Sequence, residues 1–167
     1  MNGKAAHWAA MRGADLPAIT AISDAVHGRY SEDGAVYAER LALYPSGCFT
    51  LWQGDQISGY LIGHPWYRDS PPALNAMLGS IPAIADSYYL HDIALLPGAR
   101  GGGSGRAAVD LVLTLARKAG FQDVTLMAVN DADHFWASIG FAYVEDVAST
   151  LNSYGAGSYL MRRAVEG

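Results

Sequence analysis

The stretch Tyr88-Tyr89-Leu90-His91-Asp92-Ile93-Ala94-Leu95-Leu96-Pro97-Gly98-Ala99-Arg100-Gly101-Gly102-Gly103-Ser104-Gly105 joins three structural signals without slack. Tyr88 to Leu96 is an apolar run of strand length, interrupted by His91 and Asp92 and stopped by Pro97-Gly98. Ser104 to Ala119 predicts a helix, with Ala108, Leu111, Val112 and Leu115 at helical spacing and Gly120 as its stop. Between them lies Arg100 to Gly105, a glycine-rich loop at a helix start, where backbone N–H groups are unpaired and the helix dipole is positive. Glycines let the backbone curl close to a phosphate, and Arg100 can form paired hydrogen bonds to phosphate oxygens, so pyrophosphate is the guest that fits. The alternative is a flexible glycine turn with no ligand. A nucleotide-triphosphate loop is excluded because no Lys-Ser or Lys-Thr pair follows the glycines. A dinucleotide fingerprint fails because the sixth residue counted from Gly101 is Arg106.

Outward from this segment the chain alternates strands and helices. His7 to Arg12 reads as a strand, and Asp15-Leu16-Pro17 opens a helix with Ile19, Ile22 and Val26 on one face. A second helix is expected over Ala35 to Tyr44, ended by Pro45 and Gly47. Cys48 to Gln53 and Ile57 to Gly63 flank Gly54-Asp55 as a β-hairpin. Trp66 to Asp86 is rich in proline and small residues, with one helical turn conceivable at Leu74 to Leu78, and reads as a surface insertion. Val124 to Val129 is the next strand, Asp131 to Ile139 a short helix, Phe141 to Val147 another strand and Tyr159 to Arg163 a last one. The pattern is an α/β (α+β) chain of one domain, 1–167, around a mixed sheet.

Composition narrows the function. With 167 residues, 51% hydrophobic and 16% charged, the chain can bury a substantial core. The formal charge of -5 argues against a nucleic-acid partner, which clustered Lys and Arg would grip, and weakly favours a cationic substrate. The apolar runs fall short of the roughly 20 residues a spanning helix needs, and the N-terminus lacks an apolar signal core, so no membrane association and a cytoplasmic address are expected. The single cysteine, Cys48, sits beside Phe49 and Leu51 and reads as a buried structural thiol.

Arg100-x-x-Gly103-x-Gly105 resembles the R/Q-x-x-G-x-G/A signature of the GNAT superfamily of N-acetyltransferases, and Phe135-Trp136-Ala137-Ser138-Ile139-Gly140-Phe141 resembles that family's second motif. The opening residues Arg12, Ala14, Asp15, Leu16 and Ile19 look like its first strand and helix. Tyr89 to Leu95 most resembles the arylalkylamine (serotonin-type) subgroup, whose His-x-His is represented here by His91, with Tyr89 in place of the first histidine. The resemblance implies a GNAT fold of about six or seven strands and about four helices, with the fourth and fifth strands splayed. It implies acetyl-coenzyme A as cofactor, no metal, and a small-molecule amine as partner; many members of the family form homodimers. Coenzyme A would be held by Ile93, Ala94, Leu95, Arg100, Gly101, Gly102, Gly103, Ser104, Gly105, Arg106, Asn130, Phe135 and Trp136. Asn130 reads equally as a cap for the helix that follows it.

The implied chemistry needs a base. An alkylamine has a pKa of about 10, so roughly one molecule in a thousand is nucleophilic at neutral pH, a handicap of about 4 kcal/mol. His91 is the candidate, since an imidazole titrates near pH 6.5; the competing reading makes it a hydrogen-bonded strand residue. Asp92, its neighbour, should face the other side of the strand unless a bulge intervenes. His134 is held in reserve. Many GNAT enzymes protonate the departing thiolate with a tyrosine where Trp136 stands, and indole cannot do this; Tyr88, Tyr89 or Tyr143 would have to, or no acid is needed. The acceptor amine is expected against Tyr30, Glu32, Trp66 and Tyr67. Acetylation of a protein N-terminus or lysine, and a non-catalytic acyl-coenzyme A module, are the alternatives.

Overall fold

The computed structural model describes residues 5–144 and 157–166. Among the described residues, seven strands form one mixed sheet: β1 (Ala6–Ala10), β2 (Cys48–Gln53), β3 (Gln56–Trp66), β4 (Ser87–Leu95), β5 (Asp123–Ala128), β6 (Ala142–Tyr143) and β7 (Tyr159–Ala164), in the spatial order β1-β2-β3-β4-β5-β7-β6. Every neighbouring pair is antiparallel except β4 and β5, which run parallel. Four helices among the described residues flank it: α1 (Leu16–His27), α2 (Gly34–Leu43), α3 (Ser104–Lys118) and α4 (Asp133–Ser138). This is the expected GNAT architecture. None of these helices is long and apolar enough to cross a membrane.

The two sheet faces carry separate cores. Ile19, Ile22, Tyr37, Cys48, Tyr60, Ile62 and Ala94 pack together beneath α1 and α2. Tyr88, Leu90, Val112, Val124, Leu126, Trp136 and Phe141 pack beneath α3 and α4. Cys48 is fully buried and its thiol donates to the Tyr44 carbonyl; burial pushes its pKa up to about 12, as suits a structural thiol.

Several expectations are adjusted. The buried stripe of α3 runs through Ala108, Val109, Val112, Leu113 and Ala116, while Leu111 and Leu115 are only partly covered, because the helix presents its face about one position round from the spacing first read. Residues 74–78 form no helix: Glu39 accepts the N–H groups of Leu78 and Gly79 on its two carboxylate oxygens, Arg40 donates to the Ala76 carbonyl, and these bonds replace helical ones. The strand expected at Phe141 to Val147 is seen as Ala142–Tyr143, and its last three positions lie outside the described residues.

Two irregularities shape the middle of the sheet. The β4–β5 ladder pairs Tyr88 to Leu90 with Val124 to Leu126 and then stops, so the strands part beyond Leu90 and leave a wedge. On the other edge of β4, Gly63 faces Leu90 and Ile62 faces Asp92, which leaves His91 without a partner in the register. One extra residue on one strand is a β-bulge.

Candidate active site

The bulge decides where the polar residues of β4 point. In a regular strand His91 and Asp92 would face opposite sides. Here Leu90 and Ile93 face the α3 core, Ala94 faces the α1/α2 core, and His91 and Asp92 both turn toward α1 and the loop that follows it. The bulge is the stated exception to strand alternation, and it brings the two neighbours to one side.

Each recruits a partner from the first third of the chain. His91 Nε2 lies 2.7 Å from Glu32 Oε1, with the two side chains only 1% and 4% exposed. The second oxygen of Glu32 accepts the peptide N–H of Asn75 at 2.7 Å, so the carboxylate is an acceptor on both sides. His91 therefore donates through Nε2, and Nδ1 carries the ring's lone pair, buried and without a hydrogen-bond partner among the described residues. Asp92 Oδ1 lies 2.7 Å from His27 Nε2, and its Oδ2 accepts from the Tyr60 hydroxyl at 2.6 Å. Burial alone would raise the Asp92 carboxyl's pKa, but the charge and hydrogen bond of His27, with His91 and Tyr60, outweigh it and hold it below the usual range. Burial likewise opposes a charge on His27, and Asp92, helped by Glu32, overcomes it and raises the imidazole above its ordinary 6.5.

Both pairs open on one cavity of about 780 Å³ that runs along the wedge to the glycine loop. Leu90 to Leu95 form one wall, Leu126, Met127, Val129 and Asn130 the other, and Arg100, Gly101, Gly103, Gly105 and Arg106 one end. Gly101 and Gly103 take φ of 85° and 86°, the left-handed region that glycine enters without strain, and a Cβ at either would meet nothing within 4 Å. The loop surface is thus open above the first turn of α3, an arrangement that fits an anion. Arg100 Nε donates to the Leu95 carbonyl at 3.0 Å, which anchors the guanidinium and leaves its other N–H groups for the cavity. Gly102 and Ser104 belong to the loop but do not border the cavity.

At the far wall Trp136 is buried edge-to-face between Phe135 and Phe141, and Phe135 is half exposed beside it; both aromatic rings border the cavity. Asn130 and Asp131 take consecutive left-handed conformations that turn the chain from β5 into α4. No side chain caps α4; the Asn130 amide reaches the His27 carbonyl at 3.4 Å instead, so the cap reading gives way.

The end of the cavity away from the glycine loop, where the acceptor is expected, is bordered by Tyr30, Glu32 and Leu74. Trp66 and Tyr67 do not border it: they stack on each other at 5.5 Å, and the Trp66 indole donates to Ser70. Their segment contributes Leu74 instead, held by Asn75, whose side chain exchanges two hydrogen bonds with Asp33 and whose φ is 61°. Tyr89 also stays outside the cavity, packed on His64 and His91. His134 is exposed and outside it. Sequence reasoning missed His27; its signal is faint, a histidine at a helix end before Gly28.

The acetyltransferase (GNAT) family model matches residues 16–141. The chain belongs to the GNAT family. No curated protein matches it significantly. Among solved structures, the loading GNATL domain of CurA from Lyngbya majuscula superposes with a TM-score of 0.83 at 13% identity, covering 98% of this chain and 99% of that one. Ard1 from Thermoplasma volcanium gives 0.72 at 17% identity, with 98% and 99% covered. Naa50 from Arabidopsis thaliana, in complex with a bisubstrate analogue CoA-Ac-MVNAL, gives 0.70 at 15% identity, with 95% and 97% covered. At such identities the likeness is one of fold. As in other GNAT proteins, an acyl-coenzyme A and an acceptor are the expected ligands.

Proposed function

We propose that this protein transfers an acetyl group from acetyl-coenzyme A to the primary amine of a small molecule, an aryl or alkyl amine or a polyamine, by direct attack in a ternary complex. The observation that carries the reading is the continuity of one cavity from the open glycine loop to the His91–Glu32 pair. Acetyl-coenzyme A supplies an activated thioester carbonyl. Arg100, Arg106 and the loop N–H groups would hold its pyrophosphate, and Ile93, Ala94, Leu95, Asn130, Phe135 and Trp136 would flank its pantetheine arm. His91, its Nε2–H donated to Glu32, would act as the base through Nδ1, whose buried lone pair would take the ammonium's proton by way of a bridging water. Glu32 fixes the tautomer and stabilises the imidazolium as it forms.

A small acceptor is supported by the strap of residues 74–79, which Glu32, Asp33, Glu39 and Arg40 bind down over the acceptor end. A peptide would need that end open. The carboxylates of Glu32 and Asp92 at the cavity wall suit a cationic amine, and the β4 resemblance to the arylalkylamine subgroup points the same way. The test is release of free coenzyme A from acetyl-coenzyme A against aryl amines, polyamines, amino acids and peptides, with a direct coenzyme A binding titration alongside. Turnover on small amines is the expected result. Turnover confined to peptides would replace the acceptor class, and binding without turnover would leave a non-catalytic acyl-coenzyme A module.

A further inference from the structure

The residue at the place where a tyrosine would protonate the leaving thiolate is Trp136, buried in the α3/α4 core. Among the described residues, the tyrosines named above as replacements do not border the cavity. Tyr88 is fully buried in the same core, and burial pushes its hydroxyl far above its ordinary pKa. Tyr89 faces His64, and Tyr143 donates to Asp133 on the outer surface. Of the proton carriers that border the cavity, the arginines do not act as acids at accessible pH. Tyr30 borders the cavity at the end beside Glu32, but its hydroxyl accepts from Arg29 at 2.8 Å and its ring is covered by that guanidinium. His91 is committed to the amine. His27 remains.

We propose that His27 is a second catalytic residue, the acid that protonates the departing thiolate, with Asp92 as its positioning partner. The inference rests on the acetyl-transfer reading above. Asp92 accepts from Tyr60 on one oxygen and lies 2.7 Å from His27 Nε2 on the other, so Nε2–H donates and Nδ1 is the site of the exchangeable proton. The side chain is 15% exposed, against 1% for His91, so it is the more accessible of the two rings. His27 ends α1, and its carbonyl accepts from Asn130 at the start of the β5–α4 turn, which spans the wedge from the α1 side to the β5 side. That is where the thioester would lie if the pantetheine arm follows β4. The groups that act on His27 are Asp92 of β4 and Glu32 from the loop before α2; Asp92 is in turn acted on by His91 and by Tyr60 of β3, and Arg100 and Arg106 line the same cavity further along.

The proton balance gives each of two such groups a proton to move. As the nitrogen–carbon bond forms, the carbon–sulfur bond breaks and its electron pair goes to sulfur. An ammonium that becomes an amide sheds two protons. His91 takes one and passes it to solvent. His27 gives its own proton to sulfur and is reprotonated through water by the second. The products are the acetamide, coenzyme A thiol and one solvent proton. Glu32 and Asp92, one per imidazole, let each ring carry a charge in turn, and the bulge is what brings the two pairs to one side of β4.

The test compares leaving groups. Wild-type turnover with acetyl-coenzyme A is expected to fall at alkaline pH as His27 loses its proton, and this limb should vanish with the acetyl thioester of 4-nitrothiophenol, whose thiolate needs no proton. His27→Gln, which keeps a donor for Asp92, is expected to bind coenzyme A within about twofold of wild type. It should lose roughly 10²-fold or more in kcat with acetyl-coenzyme A, and under about tenfold with the activated thioester. Equal losses with both donors, a kcat within twofold of wild type, or a wild-type alkaline limb that persists with the activated thioester would each overturn the assignment. The donor comparison uses the wild-type protein, so it stands even where the variant misfolds. Failure of the underlying reading shows itself separately, as absent coenzyme A release by the wild-type protein with every amine, and removes the acid with it.

Discussion

Replacing Glu32 by glutamine probes the join between base and strap. As a carboxylate, Glu32 accepts from His91 Nε2 on one oxygen and from the Asn75 N–H on the other, each at 2.7 Å, and is only 4% exposed. An amide has one acceptor and one donor end. With its oxygen on His91 it sets an N–H against the Asn75 N–H; turned the other way it keeps both contacts only by moving the His91 proton to Nδ1, and either way the charge assistance of a buried hydrogen bond is lost, worth ~1.5–3 kcal/mol. For a chain of this size that corresponds to a fall of about 3–12 °C in melting temperature. In either orientation the neutral amide leaves a His91 imidazolium without its counter-charge, and kcat/KM should fall by roughly 10- to 100-fold at neutral pH. Thermal denaturation by circular dichroism and steady-state coenzyme A release measure the two effects. Asn75→Gly is the control, because it keeps the N–H to Glu32 and the left-handed backbone while deleting only the two side-chain bonds to Asp33. A melting temperature within a degree of wild type and unchanged kcat/KM in Glu32→Gln would refute the reasoning.

Three further outcomes are expected. Arg100→Ala removes the anchored guanidinium at the glycine loop and should weaken coenzyme A binding by about 10-fold or more, with titration calorimetry as the check; unchanged affinity removes Arg100 from the site. Gly103→Ala forces an L-residue to φ 86° and should destabilise the fold by ~1–2 kcal/mol in urea unfolding, whereas Gly102→Ala, equally free of contacts and without a positive φ, should stay near wild type. In the His27–Asp92 pair, His27 is held above its ordinary 6.5, so its stabilisation is complete below that pH and is lost as pH rises through the raised value. Asp92 is held below its ordinary 3.8, so its share is present above that pH and is lost as pH falls through the depressed value. The pair should stabilise most between pH 3.8 and 6.5, and His27→Gln should flatten the alkaline decline in a melting-temperature profile.

The glycine-loop end of the cavity was legible because its information is local. Strand, glycine loop and helix follow one another within Tyr88 to Lys118, and backbone stereochemistry links glycine there to an open anion cradle. The pairings at the acceptor end were not legible, because His27 and Asp92 are 65 residues apart and Glu32 and His91 are 59 apart. Both depend on one unpaired residue in β4, and nothing in the alternation of that strand announces a bulge. Trp66 and Tyr67 were expected at the acceptor end as the conspicuous aromatics of an irregular stretch; without a repeat to say which side chains turn inward, the modest Leu74 and Asn75 were passed over.

The strap is fastened by hydrogen bonds from a handful of polar side chains and carries no strand or helix of its own, so its composition can drift while the sheet beneath is left alone. Acceptor preference in this lineage should therefore diversify faster than coenzyme recognition. Glu32 limits that freedom. It is bonded to the strap and to the base at once, so any exchange that shifts Asn75 is also felt at His91. New specificities would have to arise through changes that either spare this junction or rebuild it whole, and a graft of a foreign 74–79 segment should succeed only when position 32 travels with it.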